Sequence, residues 1–189
     1  ILPDTLLSGI SNNLFENCVN LQRIEMPSYY EAIGSNAFEN CSLLESIELS
    51  SNLVGVGSNA FSGCSGITEI KLLLNDRARV QSSAFYNCGN LKRVVIEVPF
   101  NTWSFVLGAD VFDGTELESI TIKCQKVPEI TQNTFEGVSK TIPIVVPCGL
   151  ASQYENDEYW SEFINIQEDL LYTNTIVTEY DGKGTVQIL

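Results

Sequence analysis

The 189-residue sequence contains no histidine, and only ten lysines and arginines stand against twenty-four aspartates and glutamates. Each shortage removes a class of function. Without imidazole, most zinc sites and every catalytic triad built on histidine are excluded. A formal charge of −14 repels a phosphate backbone, so nucleic acid is not an expected partner. No run of eighteen apolar residues occurs, and nothing in this chain is expected to span a membrane. Six cysteines are too few for a small scaffold stapled by disulfides. The chain does not begin with Met and shows no signal or lipid-attachment segment, so any export signal or anchor is expected outside it. What it does have is 44% hydrophobic residues, nine of them phenylalanine, enough for a sizeable core.

Six of those phenylalanines are periodic. Phe15, Phe38, Phe61, Phe85, Phe112 and Phe135 follow one another at intervals of 23, 23, 24, 27 and 23 residues. Five residues before each stands an aliphatic (Ile10, Ile33, Val56, Val80, Leu107, Ile130), and two before it Asn13, Asn36, Asn59, Ser83, Asp110 or Asn133. Three after it come Cys18, Cys41, Cys64 and Cys88, then Thr115 and Val138. Paired aliphatics follow, as in Ile47/Leu49, Ile70/Leu72 and Val94/Ile96. Such alternation predicts a short half-buried strand in every copy. The polar residue before Ala-Phe-x-x-Cys is of the helix N-cap type and predicts one helical or 3₁₀ turn. A copy cannot bury its own apolar face, so the copies must stack. The expected fold is a right-handed β/α superhelix of about six 23-residue coils, with one parallel strand and a one-turn helix each and rungs about 4.8 Å apart.

The stretch Ile33-Gly34-Ser35-Asn36-Ala37-Phe38-Glu39-Asn40-Cys41-Ser42-Leu43-Leu44-Glu45-Ser46-Ile47-Glu48-Leu49 resembles the repeat of BspA-like leucine-rich repeat proteins, and Val56 to Cys64 repeats the match. Thr115 and Val138 in place of Cys, and Thr141 in place of the first strand leucine, depart from it. The resemblance implies a leucine-rich repeat solenoid in a secreted or surface-attached bacterial protein, of a kind common in Bacteroidetes that includes adhesins. It therefore implies an extracellular or cell-surface location and a protein partner on a host or bacterial surface.

The ends read differently. Residues 1–150 form the expected solenoid, 151–170 a C-terminal cap, and 171–189 a β-hairpin or the start of a following β domain. Leu2-Pro3-Asp4 resembles the end of a strand, so the chain is expected to start inside a preceding coil. Tyr154 and Trp160 are expected to form a hydrophobic lid on the last coil, with an aromatic sugar platform as the alternative. The six acids Glu155, Asp157, Glu158, Glu162, Glu168 and Asp169 read as a solvated face, since their spacing matches no calcium loop.

No catalytic constellation emerges, and no cofactor or metal is expected. Glu45/Glu48 resemble a glycosidase pair only because acids are abundant, and Gly182-Lys183-Gly184 is a turn without phosphate-loop context. Cys18, Cys41, Cys64 and Cys88 form a column too spread out for zinc and read as small buried hydrophobes. Cys124 and Cys148, each two residues past the last aliphatic of a strand in adjacent coils, are the one candidate disulfide. What remains is surface. Outward strand positions form two ladders, one containing Arg23, Glu69 and Arg93 and the other Glu25, Glu48 and Lys71. A second candidate surface is the corner after the strand, with Tyr29 and Tyr30 in one coil and Phe100 and Trp103 in the enlarged coil, where Trp103 and Phe105 are alternatively space-fillers. The expected function is non-catalytic protein binding or adhesion, with a structural spacer or glycan binding at the aromatic corner as alternatives.

Overall fold

The interval between phenylalanines sets the fold, because each coil brings its ring beneath the next. In the computed structural model, which describes residues 9–26, 29–50, 53–98, 105–171, 177–180 and 186–188, the six rings form one column. Phe38 lies 5.2 Å from Phe61 at an interplanar angle of 3°, and Phe61 lies 5.3 Å from Phe85 at the same angle. The column continues through Phe112 to Phe135 at spacings of 5.8 and 5.5 Å. From Phe38 to Phe135 the rings are buried, whereas Phe15 in the first coil is half-buried. The structure is a parallel β-solenoid of about six turns.

Two parallel ladders flank this column. The front ladder contains β2 (Arg23–Ile24), β4 (Ser46–Ile47), the start of β6 (Glu69–Val80), β7 (Arg93–Glu97), β9 (Ser119–Lys123) and β10 (Ile144–Pro147). The back ladder contains β1 (Gly9–Ile10), β3 (Ala32–Ile33), β5 (Leu53–Val56), the end of β6 and β8 (Val106–Leu107). A single sheet was expected, yet the aliphatic five residues before each Phe belongs to this second ladder: Ile10, Ile33, Val56, Val80 and Leu107 lie in register. In β7 and β9 side chains alternate as period two requires, with Val94, Ile96, Ile120 and Ile122 buried.

The expected helical turn around each Phe is not there. Among the described residues the helices are α1 (Ala151–Glu155) and a 3₁₀ turn (Trp160–Glu162), both past the last coil. Left-handed backbone explains the difference. Two residues before Phe, Asn36 and Asn59 have φ of 55° and 56°; two after it, Asn40 and Gly63 have φ of 60° and 73°. Asn and Gly tolerate this region best. Successive amides then cannot all point along one helix axis. The amides of Asn36, Phe38 and Asn40 bond instead to the Ser58, Ala60 and Ser62 carbonyls of the next coil, at 2.9, 2.8 and 2.7 Å. The intervening amides of Ala37, Glu39 and Cys41 bond three residues back within the coil. Contact between coils is so close that a Cβ on Gly57 would meet the Ser35 nitrogen at 2.4 Å.

After the sixth coil the chain folds over its end. Trp160 and Tyr154 are fully buried, Trp160 stands 5.1 Å from Phe135, and its Nε1 donates to the Pro128 carbonyl at 3.0 Å. Asp157 Oδ1 accepts from the backbone amides of Tyr159 and Trp160, both at 3.1 Å, and so sets the 3₁₀ turn. β11 (Ile166–Asp169) then pairs parallel with β10, one rung more than the aliphatic pattern predicts. β12 (Val177–Tyr180) and β13 (Val186–Ile188) pair antiparallel in a separate two-stranded sheet. Residues 1–8, on which the expectation of a preceding coil falls, lie outside the described residues.

Replacing Phe61 by Ala is expected to lower stability by about 3–5 kcal/mol, and Phe15→Ala by less because Phe15 is only half-buried. Gly57→Ala is expected to cost about 1–3 kcal/mol, since backbone rather than a movable side chain blocks the methyl group. Urea denaturation of the three variants checks both.

Candidate ligand-binding surface

The front ladder brings the charged candidates onto one face. Arg23 faces Ser46, and Glu69, Arg93 and Ser119 follow one another in register; Lys71, Val95, Thr121 and Val145 form the neighbouring row. Arg23, Glu25, Glu48, Glu69, Lys71 and Arg93 are all exposed. Arg23, Glu69, Lys71 and Arg93 stand on hydrogen-bonded strands and are held rigidly, whereas Glu25 and Glu48 follow the ends of β2 and β4. A rigid surface loses less conformational freedom on binding.

Their charges are partly used within the face. Arg93 Nε meets Glu69 Oε2 at 2.8 Å and Lys71 Nζ meets Glu97 Oε2 at 3.3 Å. Beside them Lys92 Nζ meets Glu118 Oε1 at 2.7 Å, a hydrogen bond that raises the lysine pKa and lowers that of the carboxylate. Exposed pairs of this kind contribute little to stability. A partner can therefore recruit these side chains at small cost. Arg23, Glu25 and Glu48 form no ion pair with a described residue. They surround a shallow cleft of about 270 Å³ that is also lined by Ile24, Met26 and Ser46.

The described residues of the aromatic corner differ in exposure. Tyr29 is 44% exposed, but Tyr30 is only 4% exposed and packs edge-on against it at 5.1 Å. Tyr30 belongs to the core and does not serve as a contact residue. Phe105 is fully buried, filling space in the enlarged coil. Phe100 and Trp103 lie outside the described residues.

The cysteines divide by environment. Cys41, Cys64 and Cys88 are buried, and their thiols donate to the carbonyls of Phe15, Phe38 and Phe61 in the preceding coil at 3.1, 3.0 and 3.1 Å. The column thus adds a side-chain bond between coils. In the fifth coil Thr115 Oγ1 donates to its own Phe112 carbonyl instead. Burial pushes the Cys41 thiol up to about 11 and the Cys88 thiol up to about 12. Cys124 and Cys148 are not bonded to each other. Pro147 turns inward, leaving Cys148 exposed beside Glu168, while Cys124 is buried and donates to the Lys126 carbonyl at 3.3 Å.

Sequence reasoning missed the left-handed position two residues after Phe, although Asn17, Asn40, Gly63, Asn87, Gly114 and Gly137 repeat there. It also missed the cleft, which depends on how far each strand extends.

A family model described as BspA type leucine rich repeat region matches residues 8–142 and 81–170, with six copies. A crystal structure of a leucine-rich repeat protein from Bacteroides ovatus ATCC 8483 is similar at 18% identity and a TM-score of 0.32, over 89% of this chain. The chain corresponds to 60% of the length of that protein. None of the curated proteins matches it.

Iodoacetamide is expected to label Cys18 and Cys148 quickly, because both are exposed. Cys41, Cys64, Cys88 and Cys124 are expected to react only after unfolding, as mass spectrometry of the labelled protein would show. Thiol ionisation is suppressed in the folded state, so the unfolded state loses these protons first and stability falls as pH rises above 9.0.

Proposed function

The chain belongs to the BspA-type leucine-rich repeat family, and on that premise we propose that it is the binding module of a secreted or surface-attached bacterial protein. The family is associated with bacterial surface proteins, and leucine-rich repeats are in general protein-interaction modules that are typically not catalytic. Among the described residues no helix is long and apolar enough to cross a membrane. The ligand is an extracellular protein, and adhesion is the role of the interaction.

The observation that carries this reading is the front ladder. It holds a row of charged side chains of both signs on paired strands. Charge complementarity across such a face steers association and selects partners. Among the described residues of the corner after the strand, Tyr29 is exposed and Tyr30 is buried, so support for glycan binding there comes from Tyr29.

Binding of the purified chain to immobilised extracellular-matrix proteins and glycans, followed by biolayer interferometry, tests the reading. A protein member of the panel is expected to bind, and Arg93→Glu combined with Lys71→Glu is expected to weaken it about tenfold or more. Capture that survives charge reversal at Arg23, Glu48, Lys71 and Arg93 together would place the interface elsewhere. Binding confined to glycans would remove the protein-binding reading.

A further inference from the structure

The front ladder has a break. β2 and β4 form a two-stranded sheet of their own, and β4 lies beside β6 without pairing to it. The break coincides with a change in strand length. β2 and β4 are two residues each and end before Glu25 and Glu48, whereas β6 continues in register with β7 through Leu73. Past this point the inward aliphatics of the front ladder, such as Ile70, Leu72, Val94 and Ile96, are fully buried. Before it their counterparts Ile24, Met26, Ile47 and Leu49 are only partly buried. Apolar floor is therefore open to solvent at the step between the second and third coils.

Two depressions meet there. The cleft of about 270 Å³ already described adjoins one of about 280 Å³ lined by Ile47, Leu49, Lys71 and Leu73, and Glu48 lines both. Each is smaller than the ~300–1,000 Å³ of a small-molecule pocket, so their size suits individual side chains of a larger ligand.

We propose that this step binds an extended segment of a protein partner in which lysine or arginine alternates with aliphatic side chains. The aliphatic side chains enter the two depressions and cover the half-open floor. The cation meets Glu25 and Glu48, carboxylates on adjacent coils that no described residue neutralises. Among the described residues Arg23 is the one cation beside them without a counterion, because the Lys71 ammonium is held by Glu97 at 3.3 Å. The local balance thus favours a basic guest. This assignment rests on the front sheet being a protein-binding face.

Fluorescence anisotropy with two short labelled peptides tests it on the intact chain: one alternates valine with lysine, the other valine with glutamate. The lysine peptide is expected to bind and the glutamate peptide not. Glu25→Gln with Glu48→Gln is expected to weaken binding about tenfold. Glu155→Gln with Glu158→Gln removes the same charge from the cap and is expected to change nothing. Equal weakening by the cap pair would mean that only the bulk negative charge is sensed, and would overturn the proposal. So would equal binding of both peptides, or binding of neither. If the lysine peptide fails while Arg93→Glu with Lys71→Glu still abolishes capture of a folded protein, the binding face stands and this assignment falls. If both fail, both fall.

Discussion

Each turn around a phenylalanine presents a row of amide hydrogens to the next coil, and that constraint organises the protein. The amides of Asn36, Phe38 and Asn40 meet the carbonyls of Ser58, Ala60 and Ser62, and the same pattern joins the third coil to the fourth. A buried amide without an acceptor is costly, so coils must sit at one spacing and in one register. The stacked rings, 5.2–5.8 Å apart, and the thiols that donate to phenylalanine carbonyls are consequences of that register. Closure follows from the same requirement. Trp160 and Phe163 pack on Phe135 where the column ends.

Because the turns fix the spacing, variation is left to the strands and corners. Front strands grow from two residues in β2 and β4 to five in β7 and β9, while the phenylalanine column stays regular. The surface inherits this difference. Toward the C-terminus the front face is a continuous sheet with ion pairs across it; toward the N-terminus it opens into clefts whose carboxylates form no ion pair with a described residue. A conserved scaffold spacing with a changing face is how a repeat architecture presents a particular surface without altering its core.

Much of this was legible in the residues. The phenylalanine interval, the cysteine column and the strand pairs Val94/Ile96 and Ile120/Ile122 announce a stacked repeat, and the front register follows from aligning them. The turn was misread because Asn two residues before Phe is equally a helix cap and a left-handed residue. The alternation of Asn and Gly two residues after Phe decides between them. A single aliphatic per coil, such as Ile33, carries no period and so did not reveal the back ladder. Tyr30 could not be told from Tyr29 by pattern, since adjacent aromatics at a corner part according to the local path of the chain. β11 was hidden because Ile166 is followed by Gln167, Glu168 and Asp169, which lack the paired aliphatics of the other front strands.

Native-state hydrogen exchange, resolved by NMR, addresses the central claim that backbone bonds between coils hold the turns. The amides of Phe38, Phe61 and Phe85 should exchange as slowly as those of Val94 and Ile96 in β7, through global unfolding alone. If the three phenylalanine amides exchange rapidly while β7 stays protected, the turns are not held by their neighbours and the account is wrong.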